Sequence, residues 1–67
     1  MEQVEEWFKN RKTYWRVWDT PKGWQWILYF PNDPWHPGSY GLEESEQKSY
    51  SQIKWEIATY LDKKTKV

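Results

Sequence analysis

The stretch that decides the fold is Thr13-Tyr14-Trp15-Arg16-Val17-Trp18-Asp19-Thr20-Pro21-Lys22-Gly23-Trp24-Gln25-Trp26-Ile27-Leu28-Tyr29-Phe30. Aromatic and β-branched residues dominate both of its halves, as strands require. Between them stands Thr20-Pro21-Lys22-Gly23, with proline where a turn wants a fixed φ and glycine where φ turns positive. The reading is a β-hairpin over residues 13–30, ended by Pro31, which cannot donate to a ladder.

Two registers compete. A four-residue loop pairs Val17 with Trp26 and Trp15 with Leu28. A bulge at Gly23 pairs Trp18 with Trp26 and Tyr14 with Phe30. The glycine position favours the bulge. One face would then carry Trp15, Val17, Ile27 and Tyr29, and the other Tyr14, Arg16, Trp18, Trp26, Leu28 and Phe30. Neither face is polar, so something must cover both or one is a binding surface.

Outward from the hairpin, helical spacing appears on both sides. Val4, Trp7 and Phe8 share one face of a short N-terminal helix over residues 1–10. Acidic residues precede basic ones along it, as the helix dipole prefers. Ser49 and Gln52 have capping-box spacing, and Tyr50, Ile53, Ile57, Tyr60 and Leu61 form an apolar stripe. They predict a C-terminal helix over 49–63, with an earlier start near Glu43 as the alternative. Trp55 falls off that stripe. Residues 31–39 hold three prolines and a glycine and read as a loop. Tyr40–Glu43 reads as a short third strand. The fold class is α+β: a small antiparallel hairpin or three-stranded sheet against a C-terminal helix, with a short N-terminal helix. The 67 residues make one small domain.

Composition narrows the function. Ten basic and ten acidic residues cancel, which argues against a general polyanion binder. The longest apolar run, Trp26–Phe30, falls far short of the roughly 20 residues of a membrane span. No cysteine is present, and the acidic N-terminus does not read as a secretory signal; both favour a cytoplasmic location. No catalytic motif, cofactor motif or metal set is read. His36 has no orienting partner in sequence, Asp33 with His36 is too few ligands for a metal, and Glu43, Glu44 and Glu46 read as a solvated helix start.

Aromatic content stands out: seven Trp, five Tyr and two Phe. So many indoles exceed what a core of this size encloses, and interface cores are enriched in Trp, Tyr and Arg. The expected function is non-enzymatic: an adaptor, accessory subunit or small inhibitor binding a protein partner or a second copy of itself. Its anchors would be Trp18, Trp24, Trp26 and Trp35, with Arg16 as a charged contact within the aromatic patch. Trp24, Trp35 and Trp55 are the indoles expected to be most exposed. The alternative is single-stranded nucleic acid held by Lys9, Arg11, Lys12, Tyr14, Arg16 and Trp18 through stacking beside cations. A sugar platform of Trp24, Trp26 or Trp35 is a further option.

The segment Trp15–Pro37 also resembles a WW domain. The resemblance rests on Trp15 or Trp18, Thr20-Pro21-Lys22-Gly23, the aromatic pair Tyr29-Phe30, Asn32 and the closing Trp35-His36-Pro37. It implies a three-stranded meander and recognition of proline-rich peptides by exposed aromatic rings. The chain departs from the family in its closing Trp-x-Pro spacing and in having no clear strand just before Trp35.

Overall fold

The computed structural model describes residues 2–10 and 12–65. The elements run α1 (Glu2–Lys9), β1 (Tyr14–Thr20), β2 (Gly23–Tyr29), β3 (Ser39–Glu43) and α2 (Glu46–Thr65). The strands form one antiparallel sheet in the order β1-β2-β3. This is the expected α+β arrangement, with the third strand present.

The register differs from the bulged expectation. Thr20 lies opposite Gly23, Val17 opposite Trp26 and Trp15 opposite Leu28. Pro21 and Lys22 alone make the turn. The Thr20 side chain closes it: its hydroxyl donates to the Gly23 carbonyl at 2.7 Å and accepts from the Lys22 N–H at 3.2 Å. Gly23 keeps φ at +136°, and a Cβ there would lie 2.8 Å from the Glu43 carbonyl oxygen, so only glycine fits. The stronger reason is alternation. Trp26, Leu28 and Phe30 are all buried, spaced by two, and this register puts Trp15 and Val17 on their side. The two faces predicted from the bulge are therefore corrected. Trp15, Val17, Trp26 and Leu28 face the helices; Tyr14, Arg16, Trp18, Ile27 and Tyr29 face away.

α2 lies across all three strands and supplies Ile53, Ile57, Tyr60 and Leu61 to the core. It begins earlier than 49. Ser45 is the N-cap, its Oγ accepting from the Lys48 N–H at 3.2 Å. Ser49, expected to cap, is wholly buried inside the helix, and its hydroxyl donates to the Ser45 carbonyl.

α1 packs beside α2 on the same side of the sheet. Phe8 stacks on Trp15 at 4.5 Å, and Trp7 meets Phe30 and Tyr60 edge-on. Two of its last carbonyls are satisfied from β1 and the residue before it: Thr13 Oγ1 donates to the Trp7 oxygen and Trp15 Nε1 to the Phe8 oxygen. Eight residues are too few for a helix to stand alone, and these contacts hold it. The meander matches what the WW resemblance implies, but Trp35-His36-Pro37 precedes the third strand. No described helix is long and apolar enough to cross a membrane.

Candidate functional site: the uncovered sheet face

Both helices sit on the Trp26/Leu28 side, so the opposite face of the sheet is uncovered among the described residues. Register assembles it in rows. Trp18, Gln25 and Leu42 lie side by side, then Arg16, Ile27 and Tyr40, then Tyr14 beside Tyr29. Strand alternation alone selects these residues, because every second side chain points the same way. Tyr40 is 79% exposed, Leu42 47% and Tyr14 45%. The Tyr14 and Tyr29 rings stack at 4.8 Å, and the Arg16 guanidinium lies 5.1 Å from the Trp18 ring centre. Arg16 is the one charged side chain in these rows. Asp19 and Glu43, on the same strands, alternate to the helix side, opposite Trp24. The result is an apolar, aromatic face with a single cation.

The second feature is the loop over residues 31–38. Asp33 organises it. One carboxylate oxygen accepts from the Tyr60 hydroxyl at 2.9 Å and the other from the Trp35 N–H at 3.3 Å. The Asp33 N–H donates to the Phe30 carbonyl and the His36 N–H to the Asp33 carbonyl. Phe30 and Tyr60 stack at 3.9 Å, and the His36 ring meets both edge-on. Burial and the neighbouring Asp33 charge raise the Tyr60 phenol above its ordinary value. His36 and Asp33 therefore pin a loop onto the core, and the pinned loop holds Trp35 outward, 92% exposed.

The expected anchors are thus divided. Arg16 and Trp18 lie together on the uncovered face, and Trp35 stands on the loop. Trp26 corrects the expectation of an exposed anchor: it is 3% exposed, and its Nε1 donates to Glu43 Oε2 at 3.1 Å. Trp24 is half-buried on the helix side, opposite Asp19 and Glu43. Trp24, Trp26 and Trp35 therefore share no platform for a sugar. Trp55 is exposed on α2, as its off-stripe position implied.

The basic strip proposed for nucleic acid is dispersed. Lys9 pairs with Glu5 and Lys12 with Glu6, both on the helix side. Arg11 lies outside the described residues. Only Tyr14, Arg16 and Trp18 of that set share the face. Sequence reasoning missed Ile27, Tyr29, Tyr40 and Leu42 as members; the signal was the shared alternation of β2 and β3 once the register is correct.

No protein-family model matches the chain, and no curated protein and no solved structure matches it.

Proposed function

We propose that the chain is a non-enzymatic interaction module, an adaptor, accessory subunit or small inhibitor, working in the cytoplasm. It binds a protein partner, or a second copy, through the uncovered face of its Trp-rich hairpin, with Trp35 on the loop as a further anchor. The observation that carries this reading is the face itself. Tyr14, Trp18, Ile27, Tyr29, Tyr40 and Leu42 are contiguous, and no helix of the fold uses them. Contiguous apolar patches of this kind mark interaction sites. An Arg lying over Trp at its edge adds a donor where hot spots concentrate. The cysteine-free composition supports the cytoplasmic setting.

The test compares the wild-type chain with a face variant, Tyr14→Ser with Tyr40→Ser. Each is immobilised, used to capture protein from a cell extract, and then mixed with the purified captured protein. A partner that binds the wild type and loses at least about tenfold in affinity for the variant supports the reading. Equal binding to both, or selective retention of single-stranded oligonucleotide in place of protein, refutes it.

A further inference from the structure

We infer that β1 is a self-recognition strand. Two copies pair antiparallel along its outer edge, about a two-fold axis at Val17, to make one six-stranded sheet. The inference deepens the self-association part of the proposed function and names the contact. It starts from the strand order β1-β2-β3, which leaves the outer edge of β1 without a strand neighbour among the described residues. Unpaired edges of this kind are templates for another chain.

The hairpin register decides which groups that edge presents. A two-residue turn is closed by a pair that exchanges both ladder bonds, here Thr20 and Gly23. Alternation then commits the main-chain groups of Tyr14, Arg16, Trp18 and Thr20 to β2. The N–H and C=O of Trp15, Val17 and Asp19 point outward. The same alternation leaves only Tyr40 and Leu42 facing outward on the shorter β3. β1 therefore offers the longer free ladder.

Its sequence is complementary to itself in one register. Centred on Val17, each Trp15 pairs with the partner's Asp19 and Val17 with the partner's Val17. All of the outward N–H and C=O groups find partners. On the uncovered face, each Arg16 lands opposite the partner's Trp18 in a non-hydrogen-bonded pair, where side chains approach most closely. The Arg–Trp contact seen within one strand at 5.1 Å would be repeated across the axis. No like charges oppose each other. Neighbouring registers fail. Centring on Arg16 puts two guanidinium groups face to face. Centring on Trp18 brings Pro21, which has no N–H, against the partner's Trp15. A two-fold axis normal to the sheet also keeps both helix layers on one side, so the two aromatic faces become one.

Size argues for this doubling. Strands about 4.8 Å apart, rising about 3.3 Å per residue, give a single face a footprint of roughly 300 Å². A stable interface takes about 800 Å² per partner. Face-to-face stacking of two such faces would fall short; edge pairing buries no more area, rests instead on the ladder bonds and the Arg16–Trp18 pairs, and joins the two faces into one larger surface.

The chain has no cysteine, so Val17→Cys introduces a unique thiol on the axis. Paired strands put such residues about 5.5 Å apart, within disulfide reach. Sedimentation of the full chain over rising concentration should show the mass moving from 8.4 kDa toward twice that value. On mild oxidation the Val17→Cys chain should link at least about tenfold faster than a Lys22→Cys chain, whose thiol sits at the turn, since linkage is set by proximity. Trp18→Lys opposes like charges twice per dimer and should weaken association at least about tenfold at low salt; adding Arg16→Glu should restore it. Circular dichroism checks that each variant folds. A single 8.4 kDa species at every concentration overturns the inference. So does a dimer that links equally through either thiol and ignores Trp18→Lys. That second result places the contact elsewhere and leaves partner binding by the face to be decided by its own capture test.

Discussion

Gly41 is the position at which the packing of this small core is most open to test. It lies directly opposite Trp26 in the β2–β3 ladder. A Cβ on Gly41 would come within 2.7 Å of Trp26 Nε1, 2.8 Å of Cε2 and 2.9 Å of Cζ2. Carbon atoms in good contact sit about 3.5–4.0 Å apart, so the ring would have to move by most of an ångström. It has little room to do so, because it is buried in the core and tethered through Nε1 to Glu43. Overpacking of this kind costs about 1–3 kcal/mol. Replacing glycine inside a strand returns about 0.5–1 kcal/mol of backbone entropy. Gly41→Ala should therefore destabilise the fold by about 1–2 kcal/mol, which for so small a domain lowers Tm by about 5–15 °C. Thermal and urea unfolding, followed by circular dichroism, would measure it. The smaller ring of Trp26→Phe should relieve the clash, so Gly41→Ala added to that background should cost little or nothing. An unchanged or raised Tm for Gly41→Ala, or an equal drop in both backgrounds, would refute the packing argument.

Three further outcomes follow from the same geometry. Tyr60 titrates above its ordinary 10.0 in the folded chain, so its contribution is intact below about pH 10. It is lost as pH climbs past that value, because the unfolded chain gives up its proton first. Urea midpoints from about pH 8 to about pH 11 should fall for the wild type and fall less steeply for Tyr60→Phe. Ile57→Ala removes a wholly buried side chain beneath the sheet and should cost about 2–5 kcal/mol. That is comparable to the whole stability of a domain this size, and one-dimensional NMR should show an unfolded chain at room temperature. Tyr40→Ser and Leu42→Ser, on the uncovered face, should each cost less than about 1 kcal/mol by urea unfolding while raising solubility.

Much of this architecture is legible in the sequence, and the failures have identifiable causes. The two helices and the hairpin follow from periodicity and turn residues; the third strand is one of two alternatives beside a bare hairpin, and it is present. The stripe through Ile53, Ile57, Tyr60 and Leu61 does enter the core. The register does not follow from the turn alone. Gly23 suits a bulge, but the Thr20 hydroxyl closes a shorter turn, and burial of Trp26, Leu28 and Phe30 on one side outweighs local turn preference. From that one-residue difference came both the wrong face assignments and the misplaced Trp26. Ser49 misled for a related reason. Its capping spacing is real, but Ser45 four residues earlier has the same chemistry and takes the cap, while Ser49 is wholly buried one turn inside the helix. The pinning of the loop by Asp33 and Tyr60 spans 27 positions and has no local signal.

The abundance of indole has a different structural meaning from the one composition suggests. Trp26 is buried, Trp7, Trp15, Trp18 and Trp24 are half-buried, and only Trp35 and Trp55 are strongly exposed. On the helix side, half-buried rings serve as walls: Trp15 and Trp7 span the gap between the helix layer and the sheet, where a thin aliphatic core would leave space. Trp15 uses a ring face and its donor, stacking on the Phe8 ring and donating to the Phe8 carbonyl. Crowding still forces aromatic area outward, but most of it on the sheet is tyrosine and aliphatic, set by strand alternation once the helices have claimed the other face. On the uncovered face Tyr14, Tyr29 and Tyr40 flank Arg16, and an exposed phenol can keep its polar tip in solvent while its ring covers the sheet. That lets one small protomer keep the face uncovered while remaining folded.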